Sequence, residues 1–198
     1  MSKRAKVTIL GAGNVGSALA RQIVEKNLAE VVIWNRSTKA RGLALDLLQS
    51  GSQSILGTNN YRDTANSDVV VITTGIPRRP GMNRDELAQI NAEIVTEVTQ
   101  KTICYSPEAI LIVVTNPLDV MTYIAWQASG LPPHRVMGMG GMLDSARLQT
   151  FISLELGLSI ADIRTMVIGS HGDLMVPLPR YCSVRGIPLT ELMKNEKI

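Results

Sequence analysis

Ala5-Lys6-Val7-Thr8-Ile9-Leu10-Gly11-Ala12-Gly13-Asn14-Val15-Gly16 is the stretch whose reading decides the fold. An apolar, β-branched run enters a Gly-x-Gly-x-x-Gly turn, and a helical pattern follows directly. Each glycine has a separate physical task. Gly11 permits the tight turn, Gly13 lets a pyrophosphate approach the backbone, and Gly16 lets the helix pack closely on the strand. The helix start, with Asn14 and Val15, then presents free N–H groups and the positive end of the helix dipole to phosphate. A glycine turn alone is weak; placed between a strand and a helix it predicts a dinucleotide-binding βαβ unit.

Outward from this unit the pattern repeats. Further strands are predicted at Glu30–Trp34, Asp68–Thr73, Ala109–Thr115 and Arg135–Met137, after the first at Lys6–Leu10. Several are continuous apolar runs, as in parallel sheets covered on both faces. Helical patterns separate them: Val15–Lys26, Lys39–Gln49, Glu86–Cys104 and Leu118–Ala128. The alternation predicts an α/β fold, a doubly wound parallel sheet over residues 1–140. Beyond Met137 the rhythm changes. A helix at Ser145–Glu155, a strand at Thr165–Ile168 and a Pro-interrupted segment at Val176–Val184 read as the first part of an α+β domain, residues 141–198. No partner strands for that last segment are evident.

Composition sets outer bounds. Of 198 residues, 45% are hydrophobic and only 4% aromatic, so the core has to be aliphatic. The net charge of +3 is small and the basic residues are dispersed, which gives no case for nucleic-acid or membrane binding. Cys104 and Cys182 lack metal-ligand or redox spacing and read as free thiols. The apolar run Ala109–Val114 is far too short to span a bilayer, and the first residues lead straight into a strand. A cytoplasmic protein is expected.

At the end of the second strand, a dinucleotide-binding unit normally carries an acid that binds the adenosine ribose diol. Asn35 stands there instead. An acid would repel a ribose 2′-phosphate; Asn35 would not. Arg36 could pair with such a phosphate, and Ser37 or Thr38 could donate hydrogen bonds to it. The plainer alternative is that Ser37 or Thr38 caps the next helix and Arg36 is solvated. NADP is therefore favoured over NAD on these residues.

Four further segments carry a family resemblance: Pro77-Arg78-Arg79-Pro80-Gly81-Met82-Asn83-Arg84, Val114-Thr115-Asn116-Pro117-Leu118-Asp119, Leu143-Asp144-Ser145-Ala146-Arg147-Leu148 and Gly169-Ser170-His171-Gly172-Asp173. In this order the chain resembles the lactate/malate dehydrogenase family, in particular the lactate-dehydrogenase-like malate dehydrogenases. The likeness runs over essentially the whole chain.

The resemblance implies the following roles. His171 is the proton carrier, a task that suits a neutral imidazole, and Asp144 orients it. Arg147 grips the substrate C1 carboxylate in a two-pronged bond. The segment with Pro77, Pro80 and Gly81 is an active-site lid, from which Arg84 polarises the substrate carbonyl. Arg78 falls at the specificity position and implies a second carboxylate, hence malate or oxaloacetate; Arg79 competes for that assignment. Asn116 bonds near the substrate oxygen and the nicotinamide. Thr74, Gly75, Asn91 and Thr115 join the cofactor-binding set, for which NAD is the family default. The substrate is a small dicarboxylate, and the complete protein is a homodimer or homotetramer. Without the family, Asp144 reads as a helix cap, Arg147 as a surface residue, and His171 as a structural histidine in a turn. His134 matches no catalytic motif. Members of the family continue beyond the position corresponding to Ile198, so the second domain is expected to be incomplete and to expose apolar surface.

Overall fold

In a computed structural model, residues 4–51, 54–77 and 80–195 are described. Contacts between residues divide the chain into two units, Met1–Gly138 and Met139–Ile198.

The first unit runs β1 (Lys6–Leu10), α1 (Asn14–Glu25), β2 (Glu30–Trp34), α2 (Lys39–Gln49), β3 (Ile55–Thr58), β4 (Val69–Ile72), α3 (Arg84–Ile103), β5 (Ile110–Val113), α4 (Leu118–Ser129) and β6 (Val136–Gly138). All six strands are parallel, in the order β3-β2-β1-β4-β5-β6. This is the doubly wound Rossmann order, whose ligand crevice lies at the carboxyl ends of the strands where the order reverses, between β1 and β4.

Alternation along each strand sends side chains to two cores. Ile9, Val31, Ile33 and Ile55 pack with Ala20 and Ile23 of α1 and with Ala40, Ala44 and Leu47 of α2. Leu10, Val70, Ile72, Leu111 and Val113 pack with Val95 and Val98 of α3 and with Leu118, Met121 and Ala125 of α4. Burying each Val, Leu, Ile or Met side chain of these cores contributes roughly 1.5–3 kcal/mol.

Sequence reading missed β3 and began α3 two residues late. Ile55-Leu56-Gly57-Thr58 is a short edge strand interrupted by glycine. Gly57 is needed there, because a Cβ would lie 2.0 Å from the Ala40 carbonyl oxygen on α2. The start of α3 is set by a capping box: the Asn83 side chain accepts from Glu86 N–H (2.7 Å), and Glu86 accepts from Asn83 N–H (3.2 Å).

The second unit holds α5 (Gly141–Leu156), β7 (Ile163–Arg164), β8 (Val167–Gly169), β9 (Met175–Pro177), β10 (Ser183–Val184), β11 (Ile187–Pro188) and α6 (Leu189–Asn195). The single strand expected at Thr165–Ile168 is displaced, with Ile163–Arg164 and Val167–Gly169 serving different sheets. The Val176–Val184 segment also divides, and both halves find partners. β9 pairs antiparallel with β8, and β10 lies between β11 and β7. Strands of two or three residues leave no periodicity to read. α5 starts four residues earlier than expected, so Asp144 lies in its first turn. Phe151 and Leu154 of α5 are exposed.

Candidate functional site

In the first unit the glycine loop is held from three strands. Gly11 N–H donates to Trp34 C=O at the end of β2 (2.8 Å), and Thr73 Oγ1 donates to the carbonyls of Leu10 (3.0 Å) and Gly11 (3.3 Å). Gly11 has φ +115°, accessible without strain only to glycine. A Cβ on Gly16 would stand 2.0 Å from Gly11 O, whereas one on Gly13 would meet no protein atom within 4 Å. Gly16 thus serves the packing of helix on strand, and Gly13 leaves open space before the helix. α1 has Gly13 at its N-cap, no side-chain cap bond and no acid in its first turn. No acid of its own first turn competes for its leading N–H groups.

Beside the loop is a cleft of about 160 Å³ lined by Trp34, Asn35, Arg36, Thr74, Gly75, Ile94 and Val98. Thr74 Oγ1 and Trp34 Nε1, on two of its lining residues, are buried with no hydrogen-bond partner among the described residues. Open space at Gly13, an uncapped helix start and orphaned polar atoms in the adjoining cleft together fit a nicotinamide dinucleotide.

Asn35 turns back on the loop. Its Oδ1 accepts from Ala12 N–H (3.2 Å), and its Nδ2 donates to Ser37 Oγ (2.8 Å). Thr38 occupies the N-cap position of α2 without a side-chain bond, while Ser37 Oγ accepts weakly from Lys39 N–H (3.4 Å). Arg36 is not simply solvated: its guanidinium donates to Glu97 Oε2 on α3 at 2.7 Å, and Lys101 holds the other Glu97 oxygen at 2.7 Å. The hydrogen bond from Lys101 holds the Glu97 carboxyl below the usual carboxylate range, against the desolvation of burial and with help from the Arg36 charge.

Asn91 is buried and tied to backbone. Oδ1 accepts from Ile76 N–H (2.8 Å), and Nδ2 donates to Asn116 C=O (2.7 Å), joining the loops that follow β4 and β5. Thr115 Oγ1 donates to Thr74 C=O (2.6 Å). A Cβ on Gly75 would lie 2.6 Å from Thr115 Cγ2, so these residues interlock closely. Asn116 is exposed just before α4. Arg84 is the first residue of α3, and Arg78 and Arg79 lie outside the described residues.

In the second unit, the loop between β8 and β9 carries His171. Its Nδ1 is 2.7 Å from Asp144 Oδ2, and Asp144 Oδ1 accepts from Arg147 Nη1 at 3.2 Å. Asp144 is only 5% exposed, while the Arg147 side chain is 58% exposed. A buried carboxylate facing Nδ1 favours the tautomer with hydrogen on that nitrogen, which makes Nε2 the basic one. Gly169 enables the turn: it has φ +92°, and a Cβ would fall 2.6 Å from Leu174 O. Two residues missed in sequence reading support candidate side chains, one in each unit. Ser145 accepts from Val167 N–H at Oγ (3.0 Å) and from Thr165 Oγ1 at its carbonyl (2.7 Å), fastening α5 to the hairpin beside Asp144. Glu97 is the other, 61 residues from Arg36. Neither had a spacing signal. Among the described residues no group of three or more His, Cys, Asp or Glu could hold a metal ion, and no helix is long and apolar enough to cross a membrane.

Comparison with known proteins agrees with this architecture. Residues 5–138 match the lactate/malate dehydrogenase NAD binding domain, and residues 141–198 match the alpha/beta C-terminal domain of the same family. A malate dehydrogenase of Nostoc punctiforme is 59% identical over 194 residues, covering 95% of this chain and 59% of the relative. The chain thus spans about three fifths of the length of such curated relatives. Among solved structures, Cryptosporidium parvum malate dehydrogenase aligns with a TM-score of 0.90 at 40% identity, covering 99% of this chain and 64% of the other. The lactate dehydrogenase of the same organism, complexed with lactic acid and β-nicotinamide adenine dinucleotide, aligns at 0.88 and 41%, covering 98% and 63%. With both domain profiles matched over nearly all of its length, this chain belongs to the lactate/malate dehydrogenase family.

Proposed function

We propose that the chain catalyses reversible hydride transfer between (S)-malate and oxaloacetate with a nicotinamide dinucleotide. The observation that carries the reading is Asp144, a buried carboxylate that bridges His171 Nδ1 and Arg147. When bound, the nicotinamide supplies the hydride donor or acceptor. His171 Nε2 takes the hydroxyl proton of malate and returns it to the oxyanion in the reverse direction. Asp144 fixes the ring and stabilises the imidazolium. Arg147 binds the C1 carboxylate with its exposed guanidinium. Arg84 polarises the reacting carbonyl, Asn116 bonds beside it, and Arg78 receives the second carboxylate. The malate dehydrogenase names of the relatives at 59% identity favour the dicarboxylate over lactate.

Gly11, Gly13, Asn14, Val15 and Gly16 hold the pyrophosphate. Asn35, Arg36 and Ser37 hold the adenosine ribose, and Thr74, Gly75, Asn91, Thr115 and Asn116 shape the remainder of the cofactor site. An uncharged Asn35 supports acceptance of the 2′-phosphate, and NADP is preferred to NAD. The protein works in the cytoplasm as a homo-oligomer.

The test is turnover of oxaloacetate and pyruvate with NADH and with NADPH. Oxaloacetate should be reduced much faster than pyruvate. His171→Asn should cost about 10²–10⁴-fold in turnover while calorimetric cofactor binding persists; unchanged turnover would refute the role of His171. Cofactor binding with no keto acid reduced would make the chain a nucleotide-binding module instead. A strong preference for NADH would remove the NADP reading. If Arg79→Gln and not Arg78→Gln affects oxaloacetate turnover, the specificity assignment moves by one residue.

A further inference from the structure

The cleft beside the glycine loop is flanked by a chain of side chains from different elements. Trp34 at the end of β2 stacks on Tyr61 with ring centroids 4.2 Å apart. Lys101 stands over the Tyr61 ring at 5.6 Å and bonds Glu97 at 2.7 Å; Glu97 bonds Arg36 at 2.7 Å. Glu97 lies on α3 between Ile94 and Val98, both of which line the cleft with Arg36. One anion is thus shared by two cations at the position where a 2′-phosphate would need them.

We propose that Glu97 is a specificity-determining residue for the cofactor, an internal anion that occupies Arg36 and Lys101 and has to be displaced by a ribose 2′-phosphate. The inference rests on the reading that the adenosine ribose lies against Asn35, Arg36 and Ser37. The physical argument is one of exchange. Without Glu97, a 2′-phosphate would gain two uncompensated cations. With Glu97 present, it gains only the difference between phosphate and carboxylate as partners, and it meets a negative charge beside it. A free ribose hydroxyl loses nothing to Glu97. The arrangement therefore narrows the preference for NADP that Asn35 and Arg36 confer, without reversing it. The Arg36 side chain is 70% exposed and that of Glu97 39%, so their ion pair is weak enough for a phosphate to break. The carboxyl is held low by its partners, so this internal anion stays charged throughout the neutral range.

The experiment is calorimetric titration of the intact protein with NADH and with NADPH, for the parent, Glu97→Gln, Arg36→Gln and the double variant. Glu97→Gln replaces a partly exposed side chain by one of the same shape. It should tighten NADPH about five- to tenfold, with NADH changed less than about twofold, and the gain should shrink as salt is raised. Arg36→Gln should weaken NADPH alone, and the double variant should lose the gain. If Arg36→Gln weakens NADPH selectively but Glu97→Gln leaves the NADPH-to-NADH ratio unchanged, Glu97 does not discriminate and the inference is overturned. If no variant alters the ratio, the placement of the ribose at Arg36 is itself wrong, and the inference goes with it.

Discussion

Gly13 and Gly16 occupy one turn, yet alanine at each should be felt in a different measurement. At Gly16 the added carbon would lie 2.0 Å from Gly11 O and 2.9 Å from Thr73 Oγ1. Ordinary contact requires the two backbones to part by roughly 1–1.5 Å. The loop cannot move, since Gly11 is tied to Trp34 and Thr73. α1 has to retreat instead, loosening Ala20 and Ile23 from the core. Overpacking of this kind costs about 3 kcal/mol, or roughly 6–12 °C in melting temperature for a chain of this size. At Gly13 the added carbon meets nothing within 4 Å, and φ −81° with ψ −173° is open to alanine. Loss of a favourable N-cap and reduced freedom of the unfolded chain oppose each other and cancel to within about 1 kcal/mol. The methyl group does, however, fill the open space in which we propose that the pyrophosphate lies. Thermal melting followed by circular dichroism, with calorimetric titration of NADH, separates the two. Gly16→Ala should melt early; Gly13→Ala should melt near the parent and bind NADH at least tenfold more weakly. Parent-like melting of Gly16→Ala, or parent-like NADH affinity of Gly13→Ala, would refute the division of tasks.

Two other perturbations address supporting residues. Ser145→Ala removes the acceptor for Val167 N–H and should destabilise by about 1–2 kcal/mol; faster amide exchange at Val167 and a lower kcat with unchanged cofactor affinity are the expected readouts, and parent-like exchange would argue against the fastening. Asn91→Ala removes a buried side chain and leaves the half-buried Ile76 N–H and Asn116 C=O without their partner, and should cost about 1–3 kcal/mol in urea unfolding; a cost under about 0.5 kcal/mol would mean that neither bond matters.

Much of the first unit was legible because its strands are β-branched runs separated by long amphipathic patterns. β3 was not, since Gly57 is chosen for the approach of α2 and disrupts the very run that marks a strand. In the second unit the pairing of β8 with β9 and of β10 with β7 depends on contacts between pieces too short to carry a period. The His171, Asp144 and Arg147 group was reached through family motifs. Its residues are brought together by a hairpin and a helix start that spacing alone does not reveal. The Arg36–Glu97 pair and the fastening by Ser145 are products of three-dimensional proximity, and no local feature of Glu97 distinguishes it from any other acid on a helix surface.

The stack of Trp34 on Tyr61, beside the cleft proposed for the cofactor, has a practical consequence. The chain has only two tryptophans, and the other, Trp126, lies on α4, where its indole N–H donates to Leu131 C=O (3.0 Å) and its ring meets Tyr123 edge-on. Indole emission overlaps the absorption of reduced nicotinamide, so Trp34 is placed as a built-in optical reporter. Energy transfer from it, isolated by Trp126→Phe, would follow arrival of the reduced cofactor without any label.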